Sequence, residues 1–170
     1  MRVHVVAPEG FDDPAQPTGG NVYDRRVCAG LAEAGWEVLV TTVTAARPAP
    51  GSGDQAELAR IVAAIPDGDT VLIDGLIASP AAAQLLPHTG RVRMTVLLHM
   101  PLATALDTPR DAGAERSERL VLRAAAGVVV TSEWTASRSW PGTRSRPAGC
   151  TSPGRASIGS PPRPGPSAAT

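Results

Sequence analysis

The chain has 170 residues, sixteen Arg, no Lys and sixteen acidic residues, so its formal net charge is zero. That length fits one domain, or one domain plus a tail, and the balanced charge implies neither a nucleic-acid partner nor a membrane-surface one. The two cysteines, Cys28 and Cys150, are too few and too far apart for a disulfide framework or a zinc site. The richness in Gly and Pro, 17 of each, beside one Phe and one Tyr, reads as the codon bias of a GC-rich genome.

In chain order, Arg2–Ala7 (RVHVVA) is a short apolar run and so a buried strand. Too few apolar residues precede Pro8 for a signal-peptide core, and no run reaches membrane-spanning length, so the expectation is a soluble, cytoplasmic protein. Two glycines, Gly19 and Gly20, stand before a helical pattern over Asn21–Ala34, whose apolar residues are Tyr23, Val27, Leu31 and Ala34. Gly35 follows as a helix C-cap, because glycine adopts the left-handed conformation at no steric cost. Glu37–Val43 is the second strand. Asp54 reads as an N-cap with Glu57 as its capping-box partner, opening a helix with Leu58, Ile61, Val62 and Ile65 inward.

Thr70–Asp74 is the third strand, and Ser79-Pro80 reads as an N-cap followed by proline at the first helical position. Val92–Leu98 is the fourth strand. Ala112–Ala126 is a helix with Leu120, Val121 and Ala124 inward. Gly127–Thr131 is the fifth strand, and Thr131-Ser132-Glu133 opens a further helix. From Ser139 the character changes: residues 139–170 hold seven Pro, five Gly, six Ser, four Arg and no acid. Such a segment buries too little apolar surface to offset its ordering entropy, so a disordered tail is expected there, after a folded domain over 1–138.

Strands that are apolar throughout, alternating with helices, give a parallel sheet covered on both faces: an α/β, Rossmann-like, doubly wound domain. Ligands of such sheets bind at the carboxyl ends of the strands. The chemistry is narrowed by what is missing. The glycines do not form GxGxxG and the second strand ends in VTTVTAA with no acid for a ribose, which disfavours an NAD(P)-dependent oxidoreductase. Neither GxxxxGK[ST] nor GxSxG occurs, so a P-loop and a nucleophile elbow are excluded. What remains is Gly19-Gly20 at a helix start. It serves either as a flexible turn or as a place where an anion approaches bare backbone at the positive end of the helix dipole.

The residues alone favour the turn; the order of segments shifts the reading toward the anion. PEGFDDPAQPTGGNVYDRRVCAGLAEAGWEVLV, with VLLHMPL after the fourth strand and AAGVVVTSEWTA after the fifth, resembles the amino-terminal domain of family 4 glycosyltransferases over residues 1–138. These are retaining, nucleotide-sugar-dependent enzymes of the two-domain GT-B fold. The resemblance implies that Gly19, Gly20 and Asn21 lie beside the donor diphosphate and the acceptor. It implies that His99 faces the cleft as the catalytic histidine, hydrogen-bonding the transferred sugar. Asp24, Arg25, Glu133 and Trp134 are possible acceptor contacts, although Asp24 and Arg25 suit a solvated helix face equally. No metal and no cofactor are implied, the nucleotide-sugar being a substrate. His4, inside the first strand, reads as a structural histidine, His88 as a solvent-exposed loop residue and Cys28 as a small core residue.

The family's second half, with its Arg/Lys pair and E-x7-E motif, has no match in the chain. The tail from Ser139 is compatible with a frameshifted reading of the family's continuation, so a truncated acceptor-side half with little or no activity alone is the expectation. Reading the gene downstream in the alternative frame tests it. A non-catalytic ligand-binding or regulatory Rossmann module is the alternative.

Overall fold

A computed structural model describes residues 1–15, 17–44, 51–102 and 112–135, and the backbone of 157–159. Strand β1 spans Arg2–Pro8, β2 Glu37–Val43, β3 Thr70–Asp74, β4 Arg93–Leu98 and β5 Gly127–Val130. They form one parallel sheet in the order β2-β1-β3-β4-β5. A short strand β6, Ser157–Gly159, pairs antiparallel with the outer edge of β5. Apart from that backbone, the tail expected over 139–170 lies outside the described residues, as does Cys150.

Successive side chains of each strand point to opposite faces, and both faces are buried. Val6, Val71, Ile73, Met94, Val96 and Leu98 join the larger core, which is closed by α2 (Ser52–Ala64), α3 (Gly75–Ala78), α4 (Ala82–Leu85) and α5 (Ala112–Ala124). Val3, Val5, Ala7, Leu72 and Leu97 join a second core, against which Tyr23, Val27, Cys28 and Leu31 of α1 (Gly19–Glu33) pack. This is the doubly wound arrangement that the sequence predicts. Strand β2 departs from it in one respect: as an edge strand it leaves Leu39 and Val40 exposed, although its sequence is as apolar as a central strand's.

Several helix boundaries move for identifiable reasons. Helix α1 starts two residues before Asn21, because the Thr18 hydroxyl accepts the Asn21 N–H at 3.0 Å and caps the helix there. Its other end follows the expectation: Gly35 has φ +83°, its N–H reaches Ala32 O, and the Trp36 N–H reaches Leu31 O, a complete Schellman motif. Asp54 is the third residue of α2 rather than its N-cap; its carboxylate accepts the Gly51 N–H at 3.0 Å. Ser79 ends the short α3 instead of opening a helix. In α5 the inward stripe is Glu118, Val121 and Leu122, continued by Ala125 just past the helix end, while Leu120 is 42% exposed. No helix of the described residues is long and apolar enough to cross a membrane.

Candidate functional site

The connection from β1 leads outward to β2 and the one from β3 leads to β4 on the other side, so a crevice opens between β1 and β3 at their carboxyl ends. The segment that follows β1 brings Gly20 and Asp24 to this end of the sheet, where β3 ends in Asp74 and β4 is followed by His99. His99 immediately follows the last residue of β4. Its main-chain oxygen accepts the Thr135 hydroxyl at 2.9 Å and the Thr131 hydroxyl at 3.4 Å, which ties it to the turn after β5.

His99 Nε2 is 2.8 Å from Asp24 Oδ1 and 3.7 Å from Asp74 Oδ2. Both carboxylates are buried, with side chains 4% and 3% exposed against 22% for the imidazole. Asp74 spends its other oxygen on the N–H of Leu76 at 2.6 Å, capping α3. Burial first, then the charge of Asp24 and a hydrogen bond to it, push the Asp74 carboxyl up to about 7. Two carboxylates in so small a dry volume cannot both ionise cheaply, which favours the protonated form of Asp74. Burial disfavours charge on His99. The hydrogen bond and charge of Asp24, with the charge of Asp74, outweigh it and hold the imidazole above its ordinary value. The ring sits edge-on to Tyr23, with centroids 5.7 Å apart.

The two glycines play different parts. Both belong to the first turn of α1 rather than to a loop before it. Gly19 is exposed, and a Cβ there would meet nothing within 4 Å. A Cβ on Gly20 would lie 3.5 Å from His99 Cδ2 and 3.6 Å from Nε2, so the helix start rests against the imidazole. The amides at this start lack intrahelical partners, apart from the one Thr18 takes, and they open beside a histidine biased toward its charged form.

The remaining candidates fall into place around this centre. Asn21 Nδ2 donates to Gly10 O at 3.2 Å and Arg25 Nη1 to Phe11 O at 2.7 Å, so both pin the long loop after β1 onto α1. Asp24 is buried beneath His99 and does not lie on a solvated helix face. Glu133 and Trp134 are exposed just beyond β5, where Trp134 remains 47% accessible; it is Thr131 and Thr135 that reach His99 from this turn. His4 pairs with Asp69 at 2.9 Å, in keeping with a structural part. His88 is half-buried and accepts the Arg91 Nε–H at 2.9 Å, so it is not a free loop residue. Cys28 packs on the α1-side core, and burial pushes its thiol up.

Asp74, Gly75 and Glu118 are the contributors that sequence reasoning missed. A Cβ on Gly75 would come within 2.9 Å of Leu98 Cδ1 and 3.1 Å of Leu97 O, so only glycine lets α3 start this close to β4. Asp24, Asp74 and His99 each offer one ligand atom within 4.8 Å of the others, a set with the chemistry of a divalent-cation site. No buried side-chain polar atom of the described residues lacks a hydrogen-bond partner. No family model and no curated protein matches the chain.

Proposed function

We propose that the chain forms the acceptor-side wall of a retaining glycosyltransferase that draws on a nucleotide-sugar donor. The supporting observation is the contact between Gly20, at the start of α1, and the ring of His99, at the crevice where the strand order reverses. A donor diphosphate meets the α1 amides at Gly19 and Gly20, where the positive helix end favours an anion. His99 commits Nε2 to Asp24, and Nδ1 has no partner among the described residues. Nδ1 is therefore the atom for a ligand: it accepts a sugar hydroxyl proton when neutral and donates to an oxygen when charged. Asp24 fixes the ring's orientation and tautomer.

The described residues supply one wall. Transfer also needs contacts to the nucleotide and to the developing charge from the opposite side, so this wall alone binds donor weakly and turns it over little. Calorimetric titration of the chain with UDP-sugars, GDP-sugars and NAD(H), together with a transfer assay, tests the reading. Weak nucleotide-sugar binding without turnover is expected. Tight NAD(H) binding with no response to nucleotide-sugars would overturn it.

A further inference from the structure

Helix α5 carries a polar seam that faces inward. Ser117 Oγ accepts the Ala82 N–H at 3.0 Å. Next to it Glu118, only 5% exposed, accepts the Ser79 hydroxyl at 2.8 Å through Oε1 and the Leu102 N–H at 3.1 and 3.2 Å through its two oxygens. Ser79 ends the turn that begins at Asp74, and Leu102 lies three residues after His99. One carboxylate therefore bridges the segments that continue from Asp74, the last residue of β3, and from His99, the first residue after β4.

A buried carboxylate is a costly way to join two segments. Burial pushes the Glu118 carboxyl up, against the stabilising effect of the Leu102 N–H and the Ser79 hydroxyl. An apolar side chain would avoid that cost but leave two buried donors unsatisfied. Packing alone would also hold α5 in place, since Val121, Leu122 and Ala125 are all in the core. The ladder already pairs β3 with β4 as far as Asp74 and Leu97, and the bridge extends that tie past the strand ends, where His99 stands.

We propose that Glu118 is a positioning residue: by joining Ser79 to Leu102 it holds Asp74 and His99 at their observed 3.7 Å separation. Its relevance to catalysis rests on His99 being the working group of the glycosyltransferase reading, but the geometry it sets is measurable without any substrate. The chain has three histidines, so the imidazole resonances of His4, His88 and His99 are separable by NMR. Releasing the bridge lets Asp74 retreat, and His99 then loses one of the charges that raise its titration point.

In Glu118→Ala the His99 titration midpoint should fall by about half a pH unit or more, with those of His4 and His88 unchanged. Glu118→Gln keeps one acceptor oxygen for Leu102 and should move it less. If Glu118→Ala does not fold, Ser79→Ala removes one arm of the bridge only, and a smaller downward shift is expected. A His99 midpoint equal to wild type in the folded variants would show that Glu118 serves α5 packing alone and would overturn the proposal. Tight NAD(H) binding with no response to nucleotide-sugars would count against the glycosyltransferase reading and leave this result standing.

Discussion

The described residues hold two histidine–aspartate pairs of almost equal length, at opposite ends of the strands of one sheet. His4 Nε2 lies 2.9 Å from Asp69 at the amino-end edge, and His99 Nε2 lies 2.8 Å from Asp24 at the carboxyl-end edge. Asp69 keeps a quarter of its side chain exposed, whereas Asp24 keeps 4% and has a second buried carboxylate, Asp74, close by. The pair as such is therefore not what makes a site. Depth, the second carboxylate and the adjacent helix start distinguish one from the other. Removing the imidazole should expose this difference most strongly. His99→Ala leaves the buried Asp24–Asp74 pair without its imidazole partner and should cost about 2–4 kcal/mol at neutral pH. His4→Ala breaks a pair that keeps about a quarter of its surface in water and should cost about 1 kcal/mol or less. Urea unfolding of both variants measures the contrast; equal losses would erase it.

The carboxyl-end pair also depends on backbone that the other pair does not need. Gly75→Ala forces a Cβ into Leu98 and the carbonyl of Leu97, and the latter cannot swing away as a side-chain end can. A loss of about 2 kcal/mol is expected from such overpacking. The NMR signals of His99 should shift, and those of His4 should not.

The third test uses pH. Asp74 titrates near 7 in the folded chain, against 3.8 for an ordinary aspartate. Between those values the folded state keeps a proton that the unfolded state has released. Stability from this group therefore falls as pH rises from about 4 to about 7, and the loss is complete above that. His99 adds to the same trend, since its raised value is a stabilisation lost as pH climbs through it. Asp74→Asn mimics the protonated form: its oxygen accepts the Leu76 N–H and its amide donates to Asp24. Relative to wild type, the variant should be roughly 2 kcal/mol better off at pH 8 than at pH 5. Melting temperatures across that range report it. Parallel curves would show that Asp74 ionises normally.

The strands were legible because their apolar runs are nearly unbroken, and α1 because Gly35 marks its end so clearly. The edge position of β2 was not, since pairing order is a long-range property that no local pattern carries. Gly20, Asp24 and His99 could be picked out singly, as a helix start and a strand end. Positions 24, 74 and 99 follow no spacing rule, however, and Asp74 at the end of TVLID looks like any helix cap. Glu118 left a usable trace. It stands at the first position of an i, i+3, i+4, i+7 stripe completed by Val121, Leu122 and Ala125. A charged residue in line with three apolar ones on a helix is a candidate for a satisfied, buried carboxylate. Composition hides it, because ERSERLVLR reads as a polar surface.

The smallest expected effect on stability separates two of the three glycines of α1, Gly20 in its first turn and Gly30 near its far end. Gly30 looks into open space, so Gly30→Ala should gain about 0.5–1 kcal/mol from helix propensity and touch nothing else. At Gly20 the new methyl would lie at ordinary contact distance, 3.5 Å from His99 Cδ2, so the same substitution should be tolerated with a change within about 0.5 kcal/mol. The consequence belongs to the surface instead. A methyl at Gly20 covers part of the imidazole and keeps a phosphate off the first amides of α1, so nucleotide-sugar binding should fall while the fold persists. If Gly20→Ala and Gly30→Ala bind such a donor equally, the start of α1 is a turn packed on a histidine and the anion has no place there.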